Sequence, residues 1–71
     1  MSGVVEFSRI DRVEPAQRAG WFYGWAVYQR GAEEFSQPFK FDHEPSTEEL
    51  ETEARAYVVV LNTLAVAALT G

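Results

Sequence analysis

The segment Trp21–Asp42, WFYGWAVYQRGAEEFSQPFKFD, decides the fold that this sequence predicts. Residues 21–30 place apolar side chains at both odd and even positions, which is typical of a central strand that is covered on both faces. Gly24 interrupts this strand, and a glycine inside a strand often marks a bulge or a close approach to the backbone. The turn that follows consists of residues 31–33.

Two further segments have the pattern of strands. Residues 34–42 alternate between apolar and polar side chains, and Pro38 within them cannot donate a ladder hydrogen bond, so this strand lies at an edge of the sheet. Residues 4–13 form the first strand, although its apolar side chains change from odd to even positions along the way. A bulge near Ser8 or Arg9 restores the register.

Residues 47–69 predict one long helix with a well-defined start. Ser46 is a good N-cap, Glu49 completes a capping box three residues later, and Pro45 stops the helix from extending backwards. Apolar side chains then recur at helical spacing, and we expect this stripe to pack on the sheet. Its members are Leu50, Ala54, Tyr57, Val58, Leu61, Leu64, Ala65 and Ala68.

The order of these elements, β-β-β-α, predicts an α+β fold of two layers. A three-stranded antiparallel β-meander is followed by one long C-terminal α-helix, which lies across one face of the sheet. A chain of 71 residues fits a single small domain, residues 1–71. The other face of the sheet keeps aromatic side chains without a second helix to cover them, and such uncovered apolar area is typical of a binding surface.

The composition limits the kinds of protein that this chain can be. The absence of cysteine excludes a disulfide framework and a thiolate metal site. The start of the chain lacks the basic flank and the long apolar run of a signal peptide, and the apolar stretch of residues 56–61 is too short to cross a membrane. We therefore expect a cytoplasmic protein that needs no cofactor.

Charge is distributed unevenly along this chain, whose net charge is −5. Residues 1–32 carry four arginines and three acids, a net charge of +1, whereas residues 33–71 carry two cations and eight acids, a net charge of −6. Acids at the start of a helix are common for reasons of helix dipole and solubility, but an array of carboxylates also attracts a basic surface. The predicted partner-binding residues are Asp42, Glu44, Glu48, Glu49, Glu51, Glu53, Trp21 and Trp25.

The residue types offer little for catalysis, so we expect no enzyme. There is a single histidine, His43, and Ser46 is better explained as a helix cap than as a nucleophile. In an extended segment Asp42 and Glu44 converge while His43 points away, which makes at most a weak cation site. The expectation is a solvated acidic turn with His43 as an ordinary surface residue and no metal.

The face of the helix opposite the apolar stripe contains a second set of candidates. Val59 and Val66 are one heptad apart, and Asn62 lies between them. This spacing predicts a seam through which two copies form a two-fold symmetric homodimer. Isolated surface valines are also common in monomers, so both interpretations stay open.

Two groups of known proteins resemble this chain. Gly24-Trp25-Ala26-Val27, Thr47-Glu48-Glu49 and residues 53–57 resemble the three-stranded sheet and helix of AP2-type and integrase-arm DNA-binding domains. The resemblance implies a sheet face that reads DNA through basic and aromatic side chains. These are Arg12, Trp21, Trp25, Arg30 and Lys40. A net charge of −5 opposes the binding of phosphates, so direct binding of nucleic acid is the alternative rather than the leading expectation.

In size, acidity, aromatic content and lack of cysteine the chain is also similar to the small acidic proteins with which phages block bacterial defence systems, anti-CRISPR proteins among them. This resemblance implies a non-enzymatic inhibitor that acts in the cytoplasm of the host cell. Its carboxylates would mimic nucleic acid and occupy the basic nucleic-acid-binding surface of a larger protein or ribonucleoprotein complex. This is the function that the sequence favours, ahead of the DNA-binding domain and of a small dimeric structural subunit.

Overall fold

The computed structural model describes residues 4–70, and it describes side chains as far as residue 64. Three strands and one helix follow one another along the chain. They are β1 (Val5–Pro15), β2 (Phe22–Arg30), β3 (Glu33–Phe41) and α1 (Thr47–Thr70). The strands form an antiparallel sheet in the order β1-β2-β3, with β2 in the centre. The predicted α+β fold is confirmed, and so is the edge position of the strand that contains Pro38.

Two bulges in β1 correct its register against β2. One register shift falls between Phe7 and Arg9, where a bulge near Ser8 or Arg9 was predicted, and a second, unpredicted shift falls between Ile10 and Arg12. Each bulge adds one residue to β1 and so reverses which face the following side chains take. As a result the apolar side chains of β1 all lie on one face of the sheet, where each is the cross-strand neighbour of a β2 residue on that face. The pairs are Phe7 with Tyr28, Ile10 with Ala26 and Val13 with Gly24.

The turn between β2 and β3 is tighter than the sequence predicts. Arg30 pairs with Glu33, so the hairpin between β2 and β3 has two central residues, Gly31 and Ala32, instead of the predicted three. Gly31 has a φ of 61°, and among the described non-glycine residues none has a positive φ. Glycine with positive φ at the first central position is typical of a type II′ turn, whose twist matches that of the strands.

The core lies between α1 and one face of the sheet, which we call the inner face. Tyr28 at its centre is fully buried, and its hydroxyl donates a hydrogen bond of 2.6 Å to the carbonyl oxygen of Ala54 in α1. Phe7, Phe35 and Tyr57 surround the Tyr28 ring with centroid distances of 6.0, 5.7 and 6.4 Å. Aromatic packing and one buried hydrogen bond therefore join all three strands to the helix.

Two contacts, one at each end, position α1 over the sheet. A Cβ atom built on Gly24 would lie 2.7 Å from both Cδ atoms of the fully buried Leu50, so the strand glycine marks a close approach, as predicted. Further along, the Asn62 amide accepts a hydrogen bond from the Val5 backbone N–H at 2.7 Å and donates one to the Val5 carbonyl at 3.1 Å. With these contacts α1 lies mainly over β1 and β2 and least over β3.

The start of α1 shows half of the predicted capping box. The Ser46 hydroxyl accepts a hydrogen bond from the Glu49 backbone N–H at 3.1 Å, which confirms Ser46 as the N-cap. The Glu49 carboxylate does not return to Ser46. It lies 2.8 Å from the His43 ring, because a histidine next to two carboxylates offers a charge-assisted hydrogen bond that is stronger than one from a neutral backbone N–H.

Candidate functional site

The acidic residues at the start of α1 do not form one surface. A helix advances about 100° per residue, so Glu51 and Glu53 point about 160° apart. Glu51 pairs with Arg55 at 3.5 Å on one flank, whereas Glu53 lies beside Phe39 on the flank that faces β3. Glu48 is exposed between these two flanks. A partner that contacts the array therefore meets one flank at a time.

His43 joins two of the acids, contrary to the expectation that it points away from them. Its Nδ1 lies 2.9 Å from Asp42 and its Nε2 lies 2.8 Å from Glu49, so a protonated ring donates to both. Two hydrogen bonds raise the pKa of His43: the one to Asp42 has the larger effect and the one to Glu49 the smaller. The bond between His43 and Asp42 also lowers the pKa of Asp42. Among residues 4–64 no three His, Asp or Glu side chains are placed to hold a metal ion.

The two predicted partner-binding tryptophans lie on the outer face of the sheet, away from α1. Trp25 donates a hydrogen bond from its Nε1 to Glu14 at 3.2 Å, and the Arg12 guanidinium lies over its ring at 4.8 Å. Hydrogen bonds from Arg12 and then from Trp25 lower the pKa of Glu14. The structure thus separates Trp21 and Trp25 from the acids with which the sequence grouped them.

Trp21, at one end of the outer face, has two cations beside it. Arg18 and Lys40 lie 5.5 and 5.0 Å from the centre of its ring, and neither is paired with a carboxylate in the described part of the chain. Arg30, which the DNA-binding resemblance placed with them, lies instead over Phe35 on the inner face at 6.0 Å. The outer face therefore holds all the residues implied by that resemblance except Arg30.

The residues of the predicted dimer seam take different positions. Val59 is 67% exposed, as a seam residue requires. Asn62 is half-buried, and its amide is engaged with the Val5 backbone inside the same chain. The side chain of Val66 lies outside the described residues. The seam is therefore represented by Val59 alone in the described structure.

A concave, largely apolar surface lies between α1 and β3, and the sequence analysis missed it. It is a shallow depression open to solvent with a volume of about 320 Å³, and we call it the α1–β3 groove. Its lining residues are Phe39, Glu53, Ala56, Tyr57 and Val60. Val60 is 45% exposed, and Leu64, one turn further, is 60% exposed although it was predicted to lie in the core stripe. The signal that could have revealed the groove is the second apolar row at positions 56, 60 and 64.

Comparison with models of protein families, with curated proteins and with solved structures finds no match to this chain. In the part of the chain that the structure describes, no helix combines the length and the apolar character needed to cross a membrane. A function must therefore be inferred from the structure of the chain itself. The structure has two surfaces of distinct chemistry, the α1–β3 groove and the outer face of the sheet.

Proposed function

We propose that the protein is a non-enzymatic binding module that docks another protein in the α1–β3 groove. The observation that carries this proposal is the exposure of Val60 beside the half-buried rings of Phe39 and Tyr57, with the exposed Leu64 one helical turn further along α1. Contiguous apolar side chains around a groove are a common mark of an interaction site, because water contact with them is unfavourable. A partner side chain of leucine size that is buried there contributes about 1.5–3 kcal/mol.

The groove has the composition of an energetic centre of an interface. The ring of Tyr57 meets that of Phe39 edge to face, with centroids 5.3 Å apart, so the floor is formed by two mutually packed aromatic side chains. Tyrosine is enriched among the residues that dominate binding energy, and a floor that is already ordered loses little conformational entropy on binding. Both properties favour a stable protein contact over a passing collision.

Net charge selects among partners. With a charge of −5, the protein is attracted to basic surfaces and associates faster with them. Glu48 and Glu53 have no ion-pair partner among the described residues, so their charge is available to another molecule. These acids support the narrower proposal of an inhibitor that occupies the basic surface of a nucleic-acid-processing complex.

The non-enzymatic part of the proposal rests on the environment of the histidine. Both ring nitrogens of His43 face carboxylates, so neither one is directed at a hydroxyl that it could activate. A nucleophile that relies on a neighbouring base needs a free ring nitrogen within hydrogen-bond reach. His43 acts here as a link between the loop after β3 and the start of α1.

A capture experiment tests the docking proposal. The tagged protein is compared with V60Q/L64Q, which removes the exposed apolar side chain that lines the groove and the one that follows it a turn later, but keeps net charge and helix propensity. V59Q is the matched control, because Val59 is exposed on α1 but does not line the groove. We expect the double variant to lose its captured partner while V59Q keeps it, with equal thermal stability. Equal capture by all three proteins contradicts the proposal.

The unpaired cations beside Trp21 favour a second candidate, the binding of nucleic acid on the outer face. Two phosphate contacts predict that log K for a single strand falls with log salt with a slope of about −1.4. Trp fluorescence during titration with a mixed-sequence oligonucleotide measures this slope, and R18Q/K40Q should abolish it. Arg30→Gln is the matched control, because Arg30 lies on the inner face. No binding at low salt eliminates this candidate.

A further inference from the structure

The inner face of the sheet is wider than the helix that covers it. Neighbouring strands lie about 4.8 Å apart and a helix with its side chains is about 10 Å wide, so a sheet of three strands, about 14 Å wide, extends beyond one helix. The contacts of Leu50 with Gly24 and of Asn62 with Val5 hold α1 over β1 and β2. The inner face of β3 is therefore left with its aromatic side chains half-buried. These are Phe35, Phe39 and Phe41.

The uncovered strip has the dimensions of a helix-binding site. From Glu53 to Val60 the wall formed by α1 runs for about 10 Å, which is two helical turns. The exposed apolar side chains of this wall, Ala56 and Val60, stand one turn apart, and the exposed Leu64 continues their row beyond the groove. This is the spacing against which the i, i+4, i+7 row of another helix packs. A second helix beside α1 would complete the layer over β3.

A strand is a poorer occupant than a helix. The groove lies above the inner face of β3, whereas a strand that joins a sheet needs the free backbone groups at the outer edge. Pro38 in the middle of that edge strand has no N–H to donate, and this weakens edge pairing further. The apolar floor of the groove can therefore be contacted by the side chains of a helix, but it has no free backbone groups with which a strand could pair.

The charge of the α1–β3 groove indicates whether a helix of a second copy or of another protein binds there. Glu53 lines the groove, and Glu49 lies one turn before it, while the groove lining contains no Lys or Arg. The nearest arginine in α1, Arg55, pairs with Glu51 on the opposite flank. A second copy of the chain would bring a groove lined by the same Glu53, with no Lys or Arg in that lining to compensate it. A helix that carries Lys or Arg next to its apolar row matches both the apolar lining of the groove and the carboxylate of Glu53.

We infer that the α1–β3 groove takes an amphipathic helix of a partner protein, whose apolar row packs on Phe39, Tyr57 and Val60 and whose Lys or Arg meets Glu53. This inference rests on the proposed docking function and adds the conformation and the charge of the segment that is bound. The basic end of the bound helix lies toward the start of α1, since the acids are there and Val60 and Leu64 are at the other end.

A charge swap tests the inference on the full chain. The probes are two synthetic amphipathic helical peptides with the same leucine row, one with Lys and one with Glu beside that row. Binding is followed by NMR shifts of Phe39 and Tyr57. We expect the wild type to prefer the Lys peptide by roughly fivefold, the effect of one well-placed exposed charge pair, and E53K to reverse the preference. E48K changes the net charge equally but lies outside the groove, and it should keep the wild-type preference.

The outcomes separate the inference from the docking function. Equal responses of E53K and E48K overturn the inference, and if V60Q/L64Q still weakens binding of the captured partner, the docking function stands. No shift of Phe39 or Tyr57 with either peptide also overturns the inference. Sedimentation that shows a dimer dissociated by V60Q/L64Q overturns it as well, because the occupant is then a second copy. If V60Q/L64Q changes nothing in any assay, both the docking function and the inference fail.

Discussion

Substitution of Gly24 by alanine should loosen the contact that positions α1. The added Cβ would lie 2.7 Å from both Cδ atoms of Leu50 and 3.2 Å from its Cγ. Carbon atoms pack best at about 3.5–4.0 Å, so helix and strand must separate by about 1 Å or Leu50 must leave its rotamer. Overpacking of this kind costs about 1–3 kcal/mol, and alanine in place of strand glycine recovers about 0.5–1 kcal/mol. We expect a net loss of about 1–2 kcal/mol in the free energy of unfolding.

A double-mutant cycle measures this contact by urea unfolding. L50A alone should cost about 2–5 kcal/mol, because it empties a fully buried site. In G24A/L50A the clash is gone, so the double variant should be about 1–3 kcal/mol more stable than the sum of the single effects predicts. G20A is the control: its Cβ meets nothing within 4 Å and its φ is 84°, so its cost is backbone strain that adds to L50A. Additive G24A and L50A would refute the argument.

Three further predictions concern the other groups that tie the molecule together. Asn62→Ala should lower the free energy of unfolding by about 1–3 kcal/mol and speed amide exchange at Val5, because both backbone groups of Val5 lose a partner; unchanged exchange at Val5 would contradict this. Because the pKa of His43 is raised in the folded state, protonation of this histidine stabilises the fold. The stabilisation is fully present below pH 6.5, the ordinary pKa of histidine, and is lost as the pH rises through the higher folded-state pKa. Urea midpoints across that window should therefore fall with pH in the wild type and less so in H43Q, and parallel curves would refute the role of His43. Burial raises the pKa of Tyr28 to about 12, so above pH 10 the unfolded chain loses its proton first and stability should fall with pH. Y28F should lack this component and lose about 0.5–1.5 kcal/mol at pH 7 with the hydrogen bond to Ala54, and a wild-type alkaline profile in Y28F would be evidence against it.

Local patterns in the sequence predicted the elements because each pattern has a local cause. Alternation along residues 34–42, the N-cap at Ser46 and the helical spacing after it depend on neighbours within a turn or a strand. The second bulge in β1 was missed although Val13, three residues after Ile10, contains the same kind of signal as the first. The Glu49 carboxylate bonds to His43 instead of completing the capping box. Local sequence could not predict this contact, because it depends on how the loop after β3 folds back.

The groove could not be predicted because helical periodicity identifies which residues share a face but not how much of that face is covered. Leu64 fits the core stripe by spacing and is nevertheless 60% exposed. Coverage depends on the lateral position of α1, which is set by contacts between residues far apart in the chain, Gly24 with Leu50 and Val5 with Asn62. Both positions carried a sequence signal, a glycine in a strand and an amide in an apolar helix, but neither signal names its partner.

The same lateral position couples stability to binding. A chain of this size has a small core, so additional apolar area buried by a partner in the groove is a large fraction of what holds the fold together. A ligand that binds only the folded state raises the free energy of unfolding by about 2.7 kcal/mol at a hundred times its Kd. G24A moves α1 relative to the sheet and should therefore weaken partner binding in addition to lowering stability. G20A, at a similar loss of stability but at a position that does not line the groove and where the added Cβ meets nothing within 4 Å, should leave the affinity unchanged. Equal affinities for both variants would show that the position of α1 does not shape the groove.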